Sequence, residues 1–140
     1  MPNGDLTMDS GGNLYGTTSY GGVGSNGVVF KIDPPGNETV LLAFAESQAN
    51  GSLFGGGLIR DPAGNLYGST DYGGSHGYGV VFKLNPAGTE SVLHGFSGGS
   101  DGAYPATALL LYNDHLYGTT FDGGLDGLDG YGLVFELGPQ

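Results

Sequence analysis

One heptapeptide recurs three times along this chain. GNLYGTT at 12–18 returns as GNLYGST at 64–70 and as DHLYGTT at 114–120. A second motif keeps step with it: GVVFKI at 27–32, GVVFKL at 79–84 and GLVFEL at 132–137. A third, ETVLLAF at 38–44, returns as ESVLHGF at 90–96. Tyr15, Tyr67 and Tyr117 stand 52 and 50 residues apart, and Phe30, Phe82 and Phe135 stand 52 and 53 apart. Several anchors sharing one period restrict the chain to an array of like units, each too small to bury a core alone. The units run over 1–49, 50–100 and 101–140.

Each unit reads as four short strands, here a to d. Strand a is DLTM, GLIR and ALLL in the successive copies; b is the LYGTT segment, c the VVFKL segment and d the TVLLAF segment. They are rich in Val, Leu, Phe, Tyr and Thr and are bounded by turn residues. The a–b turns DSGGN and DPAGN and the c–d turn NPAGTE supply Pro for a preset φ, and Gly and Asn for positive φ. No stretch carries a sustained 3.6-residue apolar period with caps, so no helix is expected.

Strand c shows why the units must stack. Two-residue alternation puts Val28, Phe30 and Ile32 on one face, and Val29 and Lys31 on the other. A sheet largely apolar on both faces needs cover on both, which neighbouring units supply. Four antiparallel strands per repeat suit the blade of a β-propeller better than a solenoid coil. The expected fold is therefore all-β: three propeller-type blades, the last lacking strand d, not closed within one chain. Closed propellers have about 4–8 blades. Three blades leave two open end faces and LVFEL as an edge, so the chain is expected to self-associate, first repeat to third.

The motifs GNLYGTT, YGG and VVFKL, the threonine–glutamate opening of strand d, and SDGAYPA before the next strand together resemble the GloVer tandem-repeat family. The resemblance covers nearly the whole chain. It implies propeller-like repeats of large secreted or surface-anchored bacterial proteins, hence an extracellular location, and it carries no enzymatic activity. The third copy departs from the pattern by one residue fewer in its a–b turn, an extra LDG in its b–c loop, and Glu136 in place of lysine.

Composition narrows the partners. Fourteen acidic residues against Lys31, Arg60 and Lys83 give a net charge of -11. Phosphate backbones and anionic membrane surfaces need cationic partners, so neither is an expected ligand. Glycine at 31 of 140 residues, without a Gly-X-Y period, marks turns rather than collagen. The chain has no cysteine, which excludes disulfides. No apolar run reaches the ~20 residues of a membrane-spanning helix. The opening MPNGDL has neither the basic nor the apolar region of a secretion signal, which fits an internal protein, a mature chain, or an excised or designed fragment.

In an up-down-up-down unit the b–c loops and the inter-unit connections share one rim. These are the long, varied segments SYGGVGSNG, DYGGSHGYG, FDGGLDGLDGYG, AESQANGSLFGG and SGGSDGAYPAT, and such loops usually carry binding. Tyr20, Tyr72, Tyr78, Tyr104 and Tyr131 beside Asp71, Asp101 and Asn50 offer flat rings with hydroxyl-accepting groups, the chemistry of a glycan site. The competing reading makes each Tyr–Gly–Gly a turn whose ring packs on its own unit. Asp122, Asp126 and Asp129 share one glycine-rich loop and make calcium the candidate metal, against a merely solvated acidic loop. His76, His94 and His115 fall on a rim loop, a strand and the opposite turn. No serine joins them and an acid in a recognisable motif, so no enzyme is expected. The expected function is a non-enzymatic extracellular module that associates with itself through its blade faces and offers its rim loops to a ligand, a glycan first. The alternatives are a structural subunit joined head to tail in an extracellular assembly or filament, and an excised or designed fragment with no function of its own.

Overall fold

The computed structural model describes residues 2–44, 52–54, 56–105, 107–124 and 130–140. They are all-β, with no helix among them. The first sheet is the meander β1 (Pro2–Met8), β2 (Leu14–Thr18), β3 (Val28–Ile32) and β4 (Glu38–Ala43). The second has β5 (Ser52–Phe54) and β6 (Ile59–Arg60) on one side of β7 (Leu66–Tyr72), followed by β8 (Val80–Leu84) and β9 (Glu90–Gly95). The third holds β10 (Leu110–Tyr112), β11 (His115–Thr119) and β12 (Val134–Leu137). Every strand pairing among the described residues is antiparallel.

The three sheets share one register. Tyr15 faces Lys31 and Gly16 faces Phe30; Tyr67 faces Lys83 and Gly68 faces Phe82; Tyr117 faces Glu136 and Gly118 faces Phe135. Strands c and d carry the same irregularity twice, between Val29 and Phe30 and between Val81 and Phe82. Because side chains alternate, this register fixes which residues look toward which neighbour.

Strand a differs from the sequence reading. AESQANGSLFGG was expected to be a rim loop, yet Ser52–Phe54 within it forms a strand, pairing Ser52 with Tyr72 and Phe54 with Thr70. Strand a of the second sheet is thus two pieces, β5 and β6, separated by a glycine run. The first sheet keeps both pieces in one strand, with a break in register between Asn3 and Thr7. The interruption hid the first half, because GLIR alone satisfies the expected length.

Two cores lie between successive sheets. Val29 and Phe44 meet Leu58, Leu66, Phe82 and Leu84 in the first. Tyr67, Val81 and Phe96 meet Leu109, Leu116 and Phe135 in the second. The second sheet is therefore covered on both faces, and Val80, Val81 and Phe82 are fully buried. The outer sheets are covered on one. Leu6 and Met8 on the free face of the first are 56% and 66% exposed, and Leu110 and Val134 on the free face of the third are 62% and 74% exposed.

Candidate functional site

The b–c loops are built the same way in each repeat. The last threonine of the GTT or GST motif donates its hydroxyl to a carbonyl two residues on: Thr18 to Tyr20 at 2.8 Å, Thr70 to Tyr72 at 2.9 Å, Thr120 to Asp122 at 2.9 Å. The same oxygens accept the N–H of Val28, Val80 and Leu133 at the start of or just before strand c. One hydroxyl thus closes each loop at both ends. The opposite turns are closed by Asp9, Asp33 and Asp61, each accepting from the backbone N–H and side-chain amide of an asparagine four residues on. Those bonds, Asn13's above all, hold the Asp9 carboxyl down to about 2. In the third copy the shorter turn is Asn113–Asp114, both at positive φ, as a two-residue hairpin turn requires.

The connection from the second sheet to the third threads between two of these loops. Tyr104 donates its N–H to the Tyr78 carbonyl at 2.9 Å, and its own carbonyl accepts from Phe121 N–H at 3.0 Å. Ala103 exchanges both backbone bonds with Asp122. Ser69 Oγ donates to the Pro105 carbonyl at 2.8 Å. Tyr104 sits at φ 55°, a conformation uncommon outside glycine, held here by bonds on both sides.

The result is a hollow of about 390 Å³ lined by Asp71, Tyr72, Tyr104, Phe121 and Asp122. Tyr72 and Tyr104 meet edge to face at 5.4 Å, and Tyr78 buttresses Tyr104 from the other side at 5.8 Å. Burial raises the Asp71 carboxyl above its usual range, and its Oδ1 is buried with no hydrogen-bond partner among the described residues. Tyrosine rings meeting edge to face can stack on the apolar face of a flat ligand, and the two carboxylates in the same lining can accept its hydroxyl protons.

The structure brings four of the sequence candidates together: Asp71, Tyr72 and Tyr104 line the hollow, and Tyr78 supports it. Asp122, singled out as a metal ligand, joins them; Asp126, Asp129 and Asn50 lie outside the described residues. Phe121 was missed. The signal was an exchange of order, TDY in the second copy against TFD in the third, which gives the third an aromatic ring where the second has Asp71. Tyr20 is exposed on the first sheet's loop and Tyr131 is 99% exposed.

Asp101 is elsewhere. It closes its own turn by accepting from Ser97 N–H at 3.0 Å and from the Ser97 hydroxyl, and it lies 3.3 Å from His94 Nε2. Burial would raise its pKa, but the two Ser97 bonds outweigh that and hold it low. Serine, aspartate and histidine do meet here, but with the acid in the middle. A nucleophile relay needs the histidine between serine and acid. His76 contacts Ser75, and His115 pairs with Glu136 across β11 and β12. No group of three metal-binding side chains occurs among the described residues.

No curated protein matches the chain. The Gloeobacter/Verrucomicrobia repeat profile does match, over residues 1–140, the same span on which the three sheets repeat their register, and the chain belongs to that repeat family.

Proposed function

We propose that this chain is a non-enzymatic, extracellular β-propeller-type module that joins copies of itself face to face. The observation that carries the reading is the equivalence of the buried and free faces. Leu6 lies against Gly16 as Leu58, packed between sheets, lies against Gly68; Leu110 pairs with Tyr117 as Ile59, also packed between sheets, pairs with Tyr67; and Val134 holds the register position of Val81, which is fully buried. The free face of the third sheet is thus the kind that receives Leu58 and Phe82, and the free face of the first presents Leu6 and Phe30. Covering a few hundred Å² of such surface at ~25 cal/mol per Å² favours association by several kcal/mol before its entropic cost.

Two chains would give six sheets, an ordinary propeller number; repetition without closure would give a filament. Light scattering on the purified chain is the test, with electron microscopy to separate rings from fibres. We expect a dimer or larger species that Val134→Lys and Leu6→Lys each reduce to monomers. A wild-type chain that stays monomeric across concentrations overturns the reading.

The hollow at Asp71, Tyr72, Tyr104, Phe121 and Asp122 supports a second reading, that the module holds a glycan on this rim. A glycan array tests it: hits should weaken with Tyr72→Ala while the fold survives. An array without hits, or hits indifferent to that ring, removes it.

A further inference from the structure

The opposite edge of the molecule, where the turns rather than the long loops lie, carries a larger hollow of about 510 Å³ between the first and second sheets. Its walls are apolar at Leu41, Leu66 and Pro86 and aromatic at Tyr15, and it contains both Lys31 and Arg60. These are two of the three basic residues in a chain of net charge -11.

Fourteen carboxylates would be expected to claim three cations. Among the described residues they do not: both ion pairs present use histidine, and neither Lys31 nor Arg60 has a carboxylate at ion-pair distance. The adjacent acids are engaged otherwise: Asp33, which Lys31 helps to hold low from beyond ion-pair distance, accepts from Asn37. Asp9 accepts from Asn13, Gly11 and the Tyr15 hydroxyl, and Asp61 accepts from Asn65 and the Tyr67 hydroxyl. The Arg60 guanidinium lies 5.9 Å over the Tyr15 ring, and its Nε is buried without a hydrogen-bond partner among the described residues.

The fold does not demand an arginine at this position. Paired residues place Met8 in the first sheet and Leu111 in the third at the register position of Arg60, opposite Leu14, Leu116 and Leu66 respectively. Two of three copies thus fill it with an apolar side chain of similar length. The corresponding hollow between the second and third sheets has Lys83 but adds Asp61 and Asp114 to its lining, so acid outnumbers base in it.

We propose that the hollow between the first and second sheets binds a small organic carboxylate with an apolar body. Arg60 presents a planar fork that matches a carboxylate, Lys31 adds a second positive charge, and the Leu41, Leu66 and Pro86 wall takes the hydrocarbon. The negative field of the whole chain disfavours multiply charged anions, which selects a monoanion whose apolar part contributes to binding.

Calorimetric titration of the whole chain with 4-phenylbutyrate, and with its uncharged amide, tests this. The carboxylate should bind and weaken as salt rises, and the amide should bind at least about tenfold more weakly. Arg60→Met, which installs the residue of the first copy, should lose at least about tenfold in carboxylate affinity, with Arg60→Lys intermediate and Val23→Ala, at an exposed position away from the hollow, unchanged. Equal binding of acid and amide, an Arg60→Met chain that binds like the wild type, or no binding of the carboxylate each overturns the proposal. The acid–amide comparison needs no variant, so it decides even if Arg60→Met fails to fold.

Discussion

The edge of the Phe82 ring occupies the space where a side chain on Gly68 would stand: a Cβ there would lie 2.7 Å from Phe82 Cζ. Phe30 over Gly16 repeats the arrangement at 2.7 Å, and Phe135 over Gly118 repeats it in the third sheet. The glycine of every LYG motif is there so that the ring across the ladder can lie flat on the sheet. Gly68→Ala should therefore destabilise the chain by about 1–3 kcal/mol through overpacking. Gly118→Ala should do the same. Urea denaturation followed by circular dichroism checks both, and a loss under about 0.5 kcal/mol would mean the ring moves aside freely.

Thr70 is fully buried, and its hydroxyl closes the second b–c loop at both ends. Thr70→Val keeps the shape and removes both bonds. We expect a cost of about 1–3 kcal/mol, with the Tyr72 carbonyl and the Val80 N–H losing their partner. Hydrogen exchange at Val80 should accelerate in the variant; unchanged exchange there would show that the hydroxyl does not hold the loop.

Acid should unfold the protein through its turn aspartates. Asp9, Asp33 and Asp61 have carboxyls lowered by asparagine hydrogen bonds, Asp61 despite an opposing burial effect. A depressed carboxyl stabilises the fold fully above its unfolded value of about 4 and loses that contribution as pH falls toward the folded one. For Asp9 that window runs down to about 2. Asp71 acts in reverse, since burial raises it, and so favours the fold at the acid end. Melting temperature should fall between roughly pH 4 and 2. The fall should be shallower in Asp61→Asn, and an identical profile would assign the acid transition to other groups.

Charge on the end faces should act on association and leave the fold intact. Val134 is 74% exposed in a single chain, so Val134→Lys should leave the melting temperature of the dilute monomer within a degree or two, while Val81→Lys, at the equivalent but fully buried position, should prevent folding. Differential scanning calorimetry distinguishes them; equal destabilisation would mean the third sheet's free face is already packed.

Strands b and c were legible because Tyr, Gly, Val and Phe recur there at one period and alternate by two. Strand a was only half legible, since glycine splits β5 from β6 and the longer segment resembles a loop. The rim hollow was legible in its tyrosines and Asp71, which fall in the long glycine-rich segments of one rim. Phe121 was not, because it stands where the other copies have Ser19 and Asp71. The Arg60 hollow was illegible for a different reason. Its members come from strand c of one repeat and strand a of the next, and only packing between sheets brings Lys31 and Arg60 to one cavity.

The common register of the three sheets has a genealogical consequence. Every junction is made from the same positions, a Leu–Gly–Phe face against a Tyr–Val face. Unequal crossing-over that inserts or removes one whole period of about fifty residues rejoins faces that already fit. A shift of an odd number of residues within a strand would turn its buried face outward and be lost. Copy number can therefore drift freely over generations while the junctions stay fixed. The loops carry no such constraint, and there the three copies read TSY, TDY and TFD.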